Sequence, residues 1–123
     1  MVYRVLIVDD SSFMRNVLKN VISKDSNYVI AGEAKNGLEA IKKYKELNPD
    51  IVTMDITMPD MDGLTALKEI RKYDSDARII ICSSMGQKAF VMEAYEAGAK
   101  DFIVKPFRPD IVLKVLANAL KSP

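Results

Sequence analysis

The 123-residue chain contains no histidine. That absence excludes Ser-His-Asp and Cys-His catalysis and every histidine-ligated metal site. With Cys82 as the only cysteine, an intrachain disulfide and a cysteine-based zinc site are excluded as well. No charge of one sign dominates. Eighteen Lys and Arg stand against 17 Asp and Glu, a formal net charge of +1. Nucleic acid and anionic membranes therefore have no general electrostatic hold on it. Long hydrophobic runs are missing too: Val5-Leu6-Ile7-Val8 stops at Asp9-Asp10, far short of a signal segment or a span of about 20 residues. No membrane insertion is expected, and the cytoplasm is the expected compartment. There is no glycine-rich phosphate loop, which disfavours a nucleotide enzyme.

What remains is an ordinary globular composition, 49% apolar and 28% charged, at a length that suits one domain over residues 1–123. Short Val- and Ile-rich runs alternate with longer amphipathic ones. The runs Val5–Val8, Val29–Ala31, Ile51–Met54, Ile79–Cys82 and Phe102–Val104 read as strands. Between them, apolar residues recur at helical spacing: Phe13, Val17 and Val21 beside Met14, Leu18 and Ile22; then Leu38, Ile41 and Tyr44; Leu64, Leu67 and Ile70; Phe90, Ala94 and Ala97; and Val112, Val115 and Leu116. Asn36 with Glu39 resembles a capping box, and Asp62 stands where a cap is needed. Gly98 fits a helix end, and Pro109 fits a helix start.

Five strand–helix units predict an α/β fold, a doubly wound five-stranded parallel sheet with helices on both faces. The first, third and fourth strands are almost wholly apolar, as central strands are. The second carries Gly32 and Glu33, and the fifth is short, so both read as edges. The order 2-1-3-4-5 satisfies this, a flavodoxin-like arrangement.

In such a sheet ligands bind at the carboxyl ends of the strands. There the chain places Asp9-Asp10, Asp55, Ser83-Ser84 and Lys105-Pro106, while the second strand offers nothing comparable. Each alone has an ordinary explanation. Asp9, Asp10, Ser11 or Ser12 could cap a helix, a serine could close a turn, and a lysine is usually solvated. Caps do not explain acids and a lysine at one sheet edge, and an aspartate on an apolar central strand needs a charged partner. Three carboxylates sum to −3; Lys105 offsets one unit and a divalent cation the other two. Oxygen ligands in small number suit Mg²⁺. Such a site can receive a phosphoryl group, with Asp55 as nucleophile, Lys105 and Mg²⁺ stabilising charge, and Ser83 donating a hydrogen bond.

Asp9-Asp10, Asp55 with Met58-Pro59, Gly63, Ser83 and Lys105-Pro106 together resemble the receiver domain of two-component response regulators, over essentially the whole chain. The strand order 2-1-3-4-5 is also one by which this family is known. The resemblance implies that Asp55 is the phosphoacceptor and that Asp10, Asp55 and the Thr57 carbonyl hold Mg²⁺, with Asp9 acting through water. It implies that Ser83 is the hydroxyl switch, that Lys105 contacts the phosphoryl group, and that the Lys105–Pro106 peptide is cis. The stretch Met85 to Phe107 is most similar to single-domain chemotaxis regulators, in which an aromatic on the fifth strand moves when the serine is drawn in. Phe102 holds that place, without the hydroxyl of the tyrosine many relatives carry. The face of the fourth helix, fifth strand and fifth helix is expected to carry the output, with Met85, Gln87, Lys100, Phe102 and Pro106 as candidates.

The implied partners are a sensor histidine kinase (CheA-like), a flagellar motor switch protein or another output target, and a phosphatase; a monomer is expected. Two alternatives stand beside this reading. One is a receiver cut from a multidomain transcription factor or methylesterase. The other is a Mg²⁺-dependent aspartate-nucleophile phosphatase, which needs a second acid two residues past the nucleophile, where this chain has Thr57. Asp60, Asp62, Gly63 and Glu69 fall at EF-hand offsets, but Met58 cannot coordinate at the first position. A turn with Asp62 as cap is the better account. Most of the seven methionines, Met14 and Met54 among them, read as core filler, and Lys42-Lys43-Lys45 as a solvated helix face.

Overall fold

The computed structural model describes residues 2–84 and 88–121. Its elements alternate strictly: β1(Tyr3–Val8), α1(Ser12–Ser23), β2(Tyr28–Ala34), α2(Gly37–Leu47), β3(Ile51–Asp55), α3(Gly63–Tyr73), β4(Ile79–Ser83), α4(Lys88–Glu96), β5(Asp101–Val104) and α5(Pro109–Lys121). All strand pairs are parallel, and the order is β2-β1-β3-β4-β5. The expected topology holds, with strands one to four residues longer than the apolar runs that marked them. Most of the added residues are polar or aromatic, Asp55, Ser83 and Asp101 among them, while Gly32 and Ala34 lengthen β2. Among the described residues, no helix is long and apolar enough to cross a membrane.

Two cores sandwich the sheet. Val52, Met54, Ile79 and Ile81 pack against Ala40 and Tyr44 of α2, Leu67 and Ile70 of α3, and Val91 and Ala94 of α4. On the opposite face Val5, Ile7, Ile51, Ile80 and Ile103 meet Leu18 and Ile22 of α1 and Val112 and Leu116 of α5. β3 and β4 are buried at every position, as strands covered on both faces must be.

The helix signals work by hydrogen bonding. Ser11, rather than Ser12 or either aspartate, caps α1 and accepts from Met14 N at 3.2 Å. Asn36 accepts from Glu39 N at 2.8 Å, and Asp62 accepts from Thr65 N at 2.7 Å. Gly98 takes a left-handed φ of 108° after α4, where Gly98 N donates to Tyr95 O and Ala99 N to Ala94 O. That pair of bonds closes the helix as a Schellman turn.

Some expected core positions face solvent instead. Phe13 is 71% exposed and Leu38 55% exposed, and Phe90 is exposed too. Each lies in the first turn of its helix, level with the ends of the strands, so no sheet lies beneath it. Met54 is core as expected, whereas Met14 is only half-buried.

One glycine sets the distance between fold and site. Gly63 opens α3, is buried, and donates from N to Ile56 O at 2.8 Å. A Cβ on it would collide with the carbonyl oxygen and carbon of Asp55. Backbone atoms cannot swing aside, so the usual gain from Gly→Ala inside a helix is reversed. Gly63→Ala is expected to destabilise the protein by about 3 kcal/mol. Urea unfolding of both proteins measures this, and a loss below about 0.5 kcal/mol would contradict the packing described.

Candidate functional site

The carboxyl edge of the sheet gathers its polar residues by register. Val8 lies beside Met54, and Asp55 lies beside Cys82, so Asp9 and Asp55 leave adjacent strands at nearly the same level. Backbone bonds fix the strand ends: Asp9 N donates to Ala34 O at 3.0 Å, and Lys105 N donates to Ser83 O at 2.8 Å. Carboxylate oxygens of Asp9, Asp10 and Asp55 all lie within 4.8 Å of one another. Lys105 Nζ stands between two of them, 3.0 Å from Asp9 Oδ2 and 3.3 Å from Asp55 Oδ1.

Burial differs sharply around the cluster. Asp9 is 4% exposed and Asp55 6%, whereas Asp10 faces solvent. Asp9 Oδ1 accepts from Ser11 N at 3.0 Å, and Asp55 Oδ1 accepts from its neighbour Ile56 N at the same distance. Burial pushes the Asp55 carboxyl up to about 6; Lys105 opposes the shift, and the charges of Asp9 and Asp10 add to it. Burial pulls the Lys105 ammonium down, but its bonds to Asp9 and Asp55 outweigh that and hold it above the ordinary lysine value. Beneath them, burial pushes the Cys82 thiol up to about 12, so it is inert at neutral pH.

The donor set fits a small hard cation. Around Mg²⁺ each oxygen lies about 2.1 Å away, so oxygens on opposite sides of the octahedron are about 4.2 Å apart. Carboxylate oxygens within 4.8 Å of one another could serve one such ion together. Thr57 is exposed beside them, two residues beyond Asp55. The EF-hand alternative has no such gathering. Asp62 is spent on its helix cap, and Asp60 takes a left-handed φ of 66° in the turn.

Of the other expected site residues, Ser83 ends β4 and is 3% exposed, on the strand next to Asp55. Phe102 is 36% exposed on β5, its ring edge-on to Tyr95 at 6.0 Å. The Lys105–Pro106 peptide is cis. Lys100 stands at the opposite end of the sheet, where its N donates to Ile79 O at 2.9 Å, and it lines a cavity with Arg71 and Arg78. Its position just before β5 puts it by the strand's amino end, away from the acidic cluster. Met85 and Gln87 lie outside the described residues.

The second strand contributes more than its sequence suggested. Glu33, near its carboxyl end, pairs with Arg15 at 3.0 Å and with Lys19 at 2.9 Å. Lys19 and Arg15 hold its carboxyl below the usual range against the opposing effect of burial. Arg15 Nη1 in turn donates to the carbonyl of Asp9 at 2.7 Å. The signal available in sequence was the spacing of Arg15 and Lys19, one helical turn apart on α1.

A doubly wound sheet with two acids after β1, one at the end of β3, a hydroxyl at the end of β4 and a lysine after β5 defines a receiver. The chain belongs to the response regulator receiver domain family, whose model matches residues 5–117. It is 63% identical to the chemotaxis protein CheY of Thermotoga maritima over 118 residues, 96% of this chain and 98% of that one. It is 58% identical to CheY of Bacillus subtilis over 120 residues, 98% of this chain and 99% of the relative. Among solved structures, a chain of the CheX–CheY–BeF3–Mg²⁺ complex of Borrelia burgdorferi matches with a TM-score of 0.91 and 41% identity, covering 98% of this chain and 90% of that one.

The raised Asp55 carboxyl has a consequence for stability. In the metal-free protein the folded state holds a proton between about pH 4, where an unfolded aspartate titrates, and about 6. Stability therefore falls as pH rises through that window and stays lower above it, by at most about 3 kcal/mol. Urea unfolding at about pH 4.5 and 7 checks this against Asp55→Asn, which removes the titration. The wild type should lose more stability than the variant across the window; equal responses would contradict the assignment.

Proposed function

We propose that the chain is a CheY-type response regulator of chemotaxis that receives a phosphoryl group on Asp55 from a CheA-like sensor histidine kinase. The observation that carries this reading is the position of Asp55: a buried carboxylate at the end of a central strand, facing Lys105 at 3.3 Å and the acids Asp9 and Asp10. One Asp55 oxygen attacks phosphorus, and the bond to the donor's imidazole nitrogen breaks with its electron pair. Asp10, Asp55 and the Thr57 carbonyl, with Asp9 through water, would hold Mg²⁺, which would supply positive charge opposite the transferring oxygens. Lys105 moves its contact from the carboxylate to the phosphoryl group. Ser83 donates a hydrogen bond to the same group from β4.

The reaction exchanges a carboxylate of charge −1 for a group near −2. That favours the conformation in which Ser83 and Lys105 are drawn in, a population shift between two states of one fold. Phe102 then follows the space that Ser83 vacates, and the face of α4, β5 and α5 presents the change to a flagellar motor switch protein or a related target. The exposed Met92, Tyr95, Phe102, Val104 and Ile111 supply apolar area there. The protein acts as a cytoplasmic monomer.

Two supports come from its relatives. The similar chains of Thermotoga maritima and Bacillus subtilis are named chemotaxis proteins, and the Borrelia burgdorferi complex holds CheY with CheX, BeF3 and Mg²⁺. A phosphatase partner is also part of this proposal. An aspartate-nucleophile phosphatase is disfavoured for the chain itself, because Thr57 offers no carboxylate to carry the proton each turnover needs.

Acetyl phosphate with Mg²⁺ is expected to add one hydroxylamine-sensitive phosphoryl group to the wild type and none to Asp55→Asn, as read by intact-mass measurement. Lys105→Met should retain Mg²⁺ binding and lose at least ten-fold in labelling rate, about 1.4 kcal/mol of transition-state stabilisation. Equal labelling of wild type and Asp55→Asn would defeat the proposal.

A further inference from the structure

Every polar group of Asp9 is engaged. Its N donates to Ala34 O, its carbonyl accepts from Arg15 Nη1, Oδ1 accepts from Ser11 N, and Oδ2 faces Lys105 Nζ. Of these four contacts, the one from Arg15 depends on a side chain that itself needs bracing. Arg15 extends from the second turn of α1 and is mostly buried, with 18% of its side chain exposed. Its Nε donates to Glu33 Oε1 at 3.0 Å while Nη1 donates to Asp9 O at 2.7 Å. A guanidinium can do both because its donors form a rigid planar fork, so fixing one edge on a carboxylate aims the other. Lys19 contacts the second oxygen of Glu33 at 2.9 Å, apart from the oxygen that holds Arg15. Lys43 Nζ also donates to the backbone carbonyl of Glu33.

We propose that Arg15, braced by Glu33, is a positioning residue that holds the Asp9–Asp10 turn in the geometry the Mg²⁺ site requires. The proposal rests on the reading of Asp9, Asp10 and Asp55 as that site. Asp10 is exposed, so its direction depends on the backbone that presents it. The Asp9 carbonyl belongs to the peptide unit shared with Asp10, and a bond to that carbonyl sets the orientation of the peptide plane and with it the direction in which Asp10 leaves the strand.

Charge and position make opposite forecasts here. Arg15 is a cation held against the backbone carbonyl of Asp9, the residue that opens the acidic cluster. If it mattered only through its charge, removing it would make the site more negative and tighten Mg²⁺ binding. If it positions the turn, removing it weakens binding, in the way that loss of an outer-shell partner commonly costs ten-fold or more in metal affinity. Lys19 is the control, since it has the same charge and the same Glu33 partner but holds the other carboxylate oxygen.

The experiment is a Mg²⁺ titration of the full chain without any phosphodonor, followed by the amide resonances of Asp10 and Asp55. Amide hydrogen exchange at Ser11 in metal-free protein is measured alongside. Arg15→Met is expected to weaken Mg²⁺ binding about ten-fold and to speed exchange at Ser11. Lys19→Met should leave affinity unchanged or tighter. Arg15→Lys, which keeps the charge and loses the fork, should stay weak. Glu33→Gln should weaken binding by a smaller factor, and it carries the test if Arg15→Met fails to fold. Mg²⁺ binding by folded Arg15→Met or Arg15→Lys at or above wild-type strength overturns the positioning role. A wild type whose Asp10 and Asp55 amides do not respond to Mg²⁺ overturns the reading of the site, and the inference with it.

Discussion

Three carboxylates held within 4.8 Å of one another are the constraint around which this molecule is organised. At an effective dielectric of 20, each like-charge pair near 4 Å costs on the order of 4 kcal/mol. A whole domain has only about 5–15 kcal/mol of net stability, so three such repulsions cannot go unanswered. The structure answers in two ways. Lys105 stands between Asp9 and Asp55, converting two repulsive neighbours into partners of one cation. Asp55, buried at the end of a central strand, has its carboxyl pushed up to about 6, which eases the loss of its charge. Neither answer removes the excess at neutral pH. A net charge of about −2 is left over, which is what a divalent cation would cancel.

The arrangement is thus poised for a change of charge, and the backbone decides where the change is felt. Lys105 contacts two acids through its ammonium, while its own N–H bonds the carbonyl of Ser83. Any movement of the lysine toward a larger anion on Asp55 therefore bears on β4 and β5 together. β1 and β2 are tied differently. Asp9 N bonds Ala34 O, and the Arg15–Glu33 pair closes over the same corner. One side of the bowl is braced by ion pairs, and the other is linked to an edge strand of four residues. In the proposed cycle the braced side acts as the fixed support and the β4–β5 side as the part that moves.

Much of this was legible in the chain. Runs of Val and Ile marked the strands because both faces of a central parallel strand are dry, and the caps Asn36 and Asp62 were readable because each has a donor three residues on. The convergence of Asp9, Asp10, Asp55 and Lys105 followed from parallel topology, which sends every strand's end to one edge. The exposure of Phe13 and Leu38 was not legible. Helical spacing shows which face of a helix is apolar but not where along its length the sheet begins, and first turns overhang it. Glu33 was missed for another reason: it reaches the site through Arg15, and although Arg15 and Lys19 stand one turn apart on α1, nothing in that spacing says which strand residue they meet.

Phenylalanine at position 102 changes how the output edge can work. A tyrosine there would hold its own polar group, whereas Phe102 offers only a ring. In this chain the hydroxyl comes from the neighbouring helix. Tyr95 of α4 sets its ring edge-on to Phe102 at 6.0 Å, and its hydroxyl donates to Asp101 Oδ1 at 3.1 Å. The same Asp101 oxygen accepts from Phe102 N at 2.8 Å. Asp101 thus pins the helix and the strand at one oxygen, and the aromatic pair lies across the joint. An inward turn of Phe102 must give up an edge-on contact worth roughly 0.5–1.5 kcal/mol, while the Tyr95–Asp101 bond keeps α4 anchored. With the helix held and the ring free to leave, the moving part of the face reduces to one side chain and the space it vacates beside Tyr95. A partner reading this edge would meet the ring of Phe102 beside the hydroxyl of Tyr95, with Asp101 and Arg108 at its border.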